Sequence, residues 1–290
     1  RCPGRAGCGI PNAKITSSPT ISTESRSCLV DKLLELALDA ARLAGRATLM
    51  HYQQSLTVEY KQDGTPLTLA DQAAHQVIVD HLVSSRIVVV SEESEELHLD
   101  AERYWLVDPL DGTKDFLAGN GEFTVNIALV EQGRPVLGVV FAPAIEDMYW
   151  GAIRRGAWRI RDDVVTALLP QDQLPACRMA VSRFHGHPDV DLFFSQNGID
   201  QRVTIGSALK YGLLAAAEVD VFPRLVGSSE WDTAAGQAVL EAAGGQVLDW
   251  HTGKALQYGK PRRRNPRLLA LRSPYRREEF NLQEYERELL

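Results

Sequence analysis

The sequence predicts a protein of mixed α/β (α+β) class, in which helices and buried strands share one chain. Segments 29–53 and 69–83 carry apolar residues at helical spacing, which predicts two amphipathic helices. Short runs rich in β-branched and aromatic residues, 87–90 and 104–107, predict buried strands. Segments 123–131 and 135–141 flank Gln132-Gly133-Arg134, which predicts a β-hairpin with a glycine-containing turn.

Further elements follow from the same patterns along the chain. Residues 57–61 predict a short strand before the second helix, and the hairpin is followed by strands at 148–152 and 157–160. The second half predicts strands at 179–182, 203–205, 220–224 and 246–250. It also predicts helices at 211–218 and from Asp232 to the Gly244-Gly245 pair.

Composition limits the class of protein. The chain has 290 residues, of which 44% are hydrophobic and 24% charged, which is typical of a globular protein with a sizeable core. A formal net charge of -7 argues against a protein that coats nucleic acid, so we expect no nucleic-acid partner. The four cysteines form no CxxC pair and no disulfide framework, which indicates a reducing compartment. We expect a cytoplasmic protein, and peripheral association with the inner membrane stays open.

Polar and proline-rich stretches suggest where the chain divides. Residues 1–28 are rich in Gly, Pro, Ser and Thr, which predicts a disordered leader outside the fold, with a transit-like segment or translated upstream sequence as open alternatives. Polar and proline residues over 162–176 predict a boundary between an N-terminal α+β domain, 29–165, and a C-terminal α/β domain, 166–273. Residues 274–290 are charged, and we expect a peripheral tail in which an amphipathic helix is an option.

The central feature is a hydrophobic run, 104–107, that ends in two carboxylates, Asp108 and Asp111. Pro109 fixes one φ angle between them, and Gly112 lets backbone amides approach a ligand. Asp-Pro and Asp-Gly pairs are also ordinary turn residues, so either acid alone is compatible with a turn role. Two like charges this close repel each other unless a cation compensates them. The stretch therefore favours hard oxygen ligands beside phosphate-binding amides, as metal-assisted phosphoester hydrolysis requires.

Other polar residues have a local structural explanation. Glu92 directly follows the strand 87–90, so its carboxylate and that of Asp108 form one cluster if the two strands are neighbours. Thr68 and Asp71 have capping-box spacing, and Asp232 and Ser207 are well placed as helix N-caps. The Gly206-Ser207 turn is also compatible with phosphate binding. His185 and His187 suggest a metal site, but His-x-His in a loop is more typical of polar surface.

Two motifs identify a family resemblance. Residues 108–113 read Asp-Pro-Leu-Asp-Gly-Thr, and 231–238 read Trp-Asp-Thr-Ala-Ala-Gly-Gln-Ala. In this order they resemble the signature of the inositol monophosphatase superfamily of lithium-sensitive, magnesium-dependent phosphatases. Segments 65–71, 91–93, 104–116 and 121–129 resemble its CysQ-type branch, the bacterial 3'(2'),5'-bisphosphate nucleotidases. The resemblance covers about 29–271, with Asp115 in place of a common Glu and Ala208 in place of a common Ser.

The resemblance implies a layered αβαβα sandwich, with metal bound by the N-terminal domain and substrate by the C-terminal one. It implies two or three Mg²⁺ ions held by Glu92, Asp108, Asp111, Asp232 and the Leu110 carbonyl. Asp71 and Thr113 match the pair that, with Glu92, orients the attacking water. The residues that match substrate contacts are Glu92, Leu110, Asp111, Gly112, Thr113, Ser207, Lys210 and Asp232.

The resemblance also implies a reaction. The expected substrate is a small bisphosphate nucleotide, adenosine 3',5'-bisphosphate, which would give AMP and phosphate. An inositol monophosphatase or sugar phosphatase with the same metals is the nearer alternative. An inactive nucleotide- or metal-sensing protein is the other, although all the matched acids are present. The sequence leaves open whether the chain is a monomer or a homodimer.

Overall fold

A computed structural model describes residues 23–54, 59–60, 66–94, 101–172, 176–184 and 186–282. Residues 1–22 of the predicted leader, most of the predicted strand 57–61 and residues 283–290 of the predicted tail lie outside these ranges. Among the helices that the structure describes, none has the length and apolar character that a membrane crossing requires.

Six α-helices are described, together with short 3₁₀ turns at Val83–Ser85, Pro143–Ile145 and Arg277–Glu279. The helices are α1 (Thr23–Leu49), α2 (Leu69–Leu82), α3 (Thr113–Ala118), α4 (Pro188–Gln196), α5 (Leu209–Ala215) and α6 (Trp231–Ala242). The strands of the first half are β1 (Glu59–Tyr60), β2 (Pro66–Leu67), β3 (Val88–Ser91), β4 (Arg103–Asp111), β5 (Thr124–Glu131), β6 (Arg134–Ala142), β7 (Asp147–Ala152), β8 (Gly156–Arg161) and β9 (Val164–Leu168). Those of the second half are β10 (Arg178–Ser182), β11 (Gln201–Ile205), β12 (Val221–Arg224), β13 (Ser228–Ser229), β14 (Gln246–Asp249), β15 (Arg264–Asn265) and β16 (Leu268–Leu271).

Two large sheets and three helical layers alternate, which confirms the predicted αβαβα sandwich. Helices α1 and α2 pack on one face of a seven-stranded sheet of order β3-β4-β5-β6-β7-β8-β9. Helices α5 and α6 fill the space between its other face and a five-stranded sheet of order β11-β10-β12-β16-β14. Helix α4 covers the outer face of that second sheet through Phe193.

Strand β4 shows why its sequence is so apolar. Trp105 and Val107 point to the α1/α2 side, whereas Tyr104 and Leu106 belong to the cluster on the α5/α6 side. Successive side chains of a strand point to opposite faces, so a strand covered on both faces needs a continuous hydrophobic run. Strand β4 is therefore a central strand whose end lies inside the molecule.

Several element predictions were wrong or incomplete. Helix α1 begins at Thr23, inside the predicted leader rather than at Leu29. Strand β9 lies in a segment that was predicted to be a boundary, and the division at 165/166 falls inside it. This strand is an exposed sheet edge, so its residues lack the burial pattern of a core strand.

Helix α4 and strand β16 were not predicted. The described tail residues include Tyr275, which is buried against the α4 side, and form a 3₁₀ turn rather than a longer helix.

Gly138 on β6 marks the closest approach of α6 to the seven-stranded sheet. A Cβ atom at this position would lie 2.3 Å from the Ala235 carbonyl oxygen and 2.8 Å from the Ala238 Cβ. We expect Gly138→Ala to lower the free energy of unfolding by about 2 kcal/mol, because the backbone of α6 must move to accommodate a methyl group. Urea denaturation of Gly138→Ala tests this, with Gly186→Ala as the control, since a Cβ at Gly186 meets nothing within 4 Å. Equal midpoints for the two variants would contradict the close-packing argument.

Candidate active site

Glu92 and Asp108 lie side by side because their strands are parallel neighbours. Strand β3 pairs in parallel with β4, with Ser91 opposite Val107. The Glu92 amide extends this ladder by donating a hydrogen bond to the Val107 carbonyl oxygen, at 3.0 Å. Glu92 and Asp108 therefore directly follow Ser91 and Val107, the last two residues that pair between β3 and β4. This places the two acids next to each other, as expected from the sequence.

Asp108 and Asp111 are located on the strand itself, not in a loop after it, which corrects the expected turn. Strand β4 continues to Asp111 with a register shift, since Asp108 faces Asn126 and Asp111 faces Thr124. Three steps on β4 thus match two on β5, which is a β-bulge. Pro109 fits there because a bulge tolerates a residue without an amide proton. The Asp108 Oδ1 atom accepts a hydrogen bond from the Leu110 amide at 3.1 Å.

Gly112 connects the bulged strand to the short helix α3, which begins at Thr113. Its φ of 88° lies in the left-handed region, where a side chain is strained. A Cβ atom would also lie 3.2 Å from the Ser207 Cβ. Glycine at this position therefore lets the 206–210 segment come close to the end of β4.

Asp232 enters the site from the first turn of α6. The N-cap of that helix is Glu230, not Asp232 as predicted, because the helix starts at Trp231. The Asp232 Oδ2 atom accepts a hydrogen bond from the Ser229 amide at 3.0 Å. Burial raises the pKa of Asp232 to about 6, and the Asp111 charge adds to this rise, whereas Arg224 opposes it. Burial and a neighbouring negative charge both disfavour the charged form of a carboxyl group, which is why this pKa rises.

The 206–210 segment closes the site opposite β4. The Ala208 amide donates to Asp111 Oδ2 at 2.6 Å. The N-cap of α5 is Ala208, so the predicted capping role of Ser207 was wrong, although its Oγ atom accepts from the Leu209 amide at 3.3 Å. Lys210 is buried and donates from Nζ to the Ile205 carbonyl oxygen at 3.1 Å. Burial lowers its pKa to about 8, which the nearby Asp111 charge counteracts.

Asp115 of α3 ties that helix to the same segment. Its carboxylate is buried and accepts a hydrogen bond from Asn120 Nδ2 at 2.7 Å. A Cβ atom at Gly206 would lie 2.6 Å from the Asp115 Cγ, so the backbone at position 206 can approach this carboxylate closely only because it is glycine. Burial raises the pKa of the Asp115 carboxyl, and the bond from Asn120 opposes that rise. Asp115 thus contributes structure to the cavity wall.

One cavity of about 450 Å³ collects almost all of the predicted site residues. The predicted residues that line it are Glu92, Asp108, Leu110, Asp111, Gly112, Thr113, Ser207, Lys210 and Asp232. Its size suits a nucleotide-sized ligand.

Asp71 is the predicted site residue that does not line this cavity. Its Oδ2 atom accepts hydrogen bonds from the Thr68 amide at 2.8 Å and the Thr68 hydroxyl at 2.7 Å, which confirms the capping box. The preceding residue, Ala70, belongs to the same apolar cluster as Leu110. Asp71 is therefore buried in its own capping box and is absent from the cavity lining.

Sequence reasoning missed the basic part of the cavity. Its lining also includes four arginines, Arg183, Arg224, Arg262 and Arg264. The one signal was the run Arg262-Arg263-Arg264 in a chain of net negative charge. The acids and these guanidinium groups make a cavity with both signs of charge.

The donor set of the acidic part fits a hard cation. Four carboxylates and a backbone carbonyl are the oxygen donors that Mg²⁺ prefers. They line one open cavity, although among the described residues no three His, Cys, Asp or Glu side chains lie close enough together to form a ready-made metal site. His187 instead caps α4, since its Nδ1 atom accepts from the Asp189 amide at 3.2 Å.

Several known proteins are similar to this chain in sequence and in fold. The model of the inositol monophosphatase family matches residues 29–279. The 3'(2'),5'-bisphosphate nucleotidase CysQ of Salmonella typhimurium is 45% identical over 233 residues, which cover 78% of this chain and 94% of the relative. The CysQ of Escherichia coli K12 is 42% identical with the same coverage. The crystal structure of Bacteroides thetaiotaomicron CysQ, a bacterial member of the inositol monophosphatase family, matches with a TM-score of 0.74 and 32% identity, over 84% of this chain and 98% of that one. The chain therefore belongs to the inositol monophosphatase family.

Proposed function

We propose that the chain is a magnesium-dependent, lithium-sensitive phosphatase that removes the 3'-phosphate of adenosine 3',5'-bisphosphate and releases AMP and phosphate. The observation that carries the proposal is that Glu92, Asp108, Asp111 and Asp232, from two strand ends and a helix start, all line one cavity. The names of the Salmonella and Escherichia relatives support the nucleotide substrate. We expect the sulfated analogue of that nucleotide to be a second substrate.

The metal would be held by the acidic part of the cavity. Glu92, Asp108, Asp111, Asp232 and the Leu110 carbonyl are the proposed ligands of two or three Mg²⁺ ions. When bound, Mg²⁺ supplies positive charge that acidifies water and offsets the charge of the phosphoryl group. Support comes from the setting of Asp232, whose pKa is raised chiefly by burial and further by the Asp111 charge, since a bound cation would stabilise the charged form of such an acid.

The residues of the chain then position the reactants. Glu92, with the Asp71–Thr113 pair, orients the attacking water and accepts its proton. Gly112 and Thr113 line the cavity, and their backbone amides are proposed to bind phosphate oxygens. In one displacement, the bond from the water oxygen to phosphorus forms as the bond from phosphorus to the 3' oxygen breaks. The 3' oxygen takes a proton from solvent, and no covalent enzyme intermediate is required.

The experiment is a side-by-side measurement of phosphate release from adenosine 3',5'-bisphosphate and inositol 1-phosphate. Purified protein is assayed with Mg²⁺ present while Li⁺ is titrated in. We expect strong preference for the nucleotide and inhibition by Li⁺. A preference for inositol 1-phosphate would support the proposed phosphatase reaction but would contradict the proposed nucleotide substrate. No release from either compound would favour an inactive, sensing role.

A further inference from the structure

We propose that the basic segment 260–264, here termed the arginine loop, binds the second phosphate of the substrate together with Arg224. The loop would make the enzyme select bisphosphates over monophosphates, and this inference rests on the proposed function. Arg262 and Arg264 of the loop line the same cavity as the acids. A substrate with two phosphates needs two anion sites, and the acidic part of the cavity can serve only the phosphate that it holds through metal.

The arginine loop is held in place by a buried carboxylate. Glu230 is fully buried, and its two oxygens accept hydrogen bonds from the amides of Gly259, at 3.0 Å, and Lys260, at 2.9 Å. The Lys260 Nζ atom lies 2.8 Å from Glu230 Oε1. Glu230 is also the N-cap of α6, two residues before Asp232. One residue therefore fixes the loop relative to the acidic part of the site.

A second set of bonds fixes Arg264. Strand β15, which contains Arg264, pairs with β13 at the start of α6, where Arg264 faces Ser229. The neighbouring Asn265 donates from Nδ2 to the Ser229 carbonyl oxygen at 2.7 Å and to the Thr233 hydroxyl at 2.8 Å. Arg264 thus projects from a rigid ribbon, which lowers the entropy cost of binding an anion.

The guanidinium groups retain unused hydrogen-bonding capacity. The Nε atom of Arg224 is buried without a hydrogen-bond partner, although one of its terminal nitrogens lies 3.5 Å from Asp232 Oδ2. Arg262 is exposed and, within the part of the chain that the structure describes, forms no ion pair. Buried donors without partners are costly unless a ligand satisfies them. A phosphate suits these donors because guanidinium forms paired, charge-assisted bonds to its oxygens.

The test compares two substrates that differ only in the second phosphate. The kcat/KM values for adenosine 3',5'-bisphosphate and adenosine 3'-monophosphate are measured for wild type and for the double variant Arg262→Gln/Arg264→Gln. We expect the value for the bisphosphate to fall roughly 10- to 100-fold, as for the loss of charge-assisted hydrogen bonds. The value for the monophosphate should change less than about twofold. Arg46→Gln, an exposed arginine on α1, is the matched control and should leave both values unchanged.

A binding measurement separates this inference from the proposed function. Calorimetric titration with AMP, which keeps the 5'-phosphate, requires no turnover, and adenosine serves as the uncharged comparison. We expect the double variant to lose affinity for AMP but not for adenosine. Equal losses of kcat/KM for both substrates, or unchanged AMP affinity, would overturn the assignment. If wild type hydrolyses neither nucleotide, the proposed function fails, while selective loss of AMP affinity would still support the anion site.

Discussion

Asp111→Asn is expected to lower turnover of adenosine 3',5'-bisphosphate by at least roughly 100-fold while the fold stays intact. Asp111 lies at the end of the bulged strand and faces both the acids and the 206–210 segment. Its Oδ2 atom accepts hydrogen bonds from the Ala208 amide at 2.6 Å and from Asn126 Nδ2 at 3.3 Å. Asparagine keeps an oxygen acceptor of the same size, so these contacts can persist, but the negative charge needed for a metal ligand is lost.

The measurement combines initial rates at saturating Mg²⁺ with urea denaturation of the same preparations. Asp39→Asn is the matched control, because Asp39 is an exposed acid on α1 with a surface ion pair to Arg42. That variant should retain wild-type turnover. A near-normal rate for Asp111→Asn would exclude this residue as a metal ligand.

Asp220→Asn is expected to lower the free energy of unfolding by about 3 kcal/mol at neutral pH, because it leaves two arginines without their buried carboxylate. Asp220 is fully buried and precedes β12. Its Oδ2 atom accepts hydrogen bonds from the Arg178 amide at 2.7 Å and the Arg178 Nε at 2.9 Å. Its Oδ1 atom accepts one from Arg272 Nε at 2.5 Å. The carboxylate thus joins three strands of the second sheet, one of which ends at Arg224 in the cavity.

The effect of this substitution should depend on pH. Burial alone would raise the pKa of Asp220, but the hydrogen bonds from Arg178 and Arg272 outweigh it and hold the pKa below its ordinary value. A depressed carboxyl pKa stabilises the folded state above the unfolded pKa of about 3.9, and this contribution is lost as pH falls through the folded pKa. The difference between wild type and Asp220→Asn should therefore be constant near neutrality and narrow below about pH 4.

Urea denaturation at pH 7 and in acid tests both parts of this prediction. Asp191→Asn is the control, since Asp191 is largely exposed and pairs with Arg202 on the surface. We expect its effect to stay within about 0.5 kcal/mol. A loss for Asp220→Asn no larger than that of the control, or a difference that grows in acid, would contradict the account.

Elements with strong local patterns were predictable from the sequence. The continuous hydrophobic run of β4 and the largely buried strands of the β5–β6 hairpin are fixed by burial within the sheet, so their existence followed from composition. Strand β9 was missed because it is an exposed edge, and its turn depends on Asp162 and Asp163 in the left-handed region. Helix α4 was missed because its start is set by His187 and Pro188, a weak local signal.

Within the candidate site, too, some residue positions were predictable from local sequence and others were not. Glu92 and Asp108 were predictable as neighbours because each follows a buried strand. The positions of Asp232 and the 206–210 segment depend on long-range packing of α6 and α5, which no local pattern reports. The bulge between Asp108 and Asp111 requires knowledge of the register with β5. The arginine loop was not predictable because Glu230, which fixes it, lies about 30 residues away in sequence.

The most direct test of the central claim is phosphate release from adenosine 3',5'-bisphosphate by chelator-treated wild-type protein before and after Mg²⁺ is added back. If the cavity acids hold the catalytic metal, release is negligible without Mg²⁺, returns when the ion is restored, and yields AMP as the nucleotide product. Release that continues at the same rate without metal would contradict the claim that these carboxylates form a metal-dependent phosphatase site.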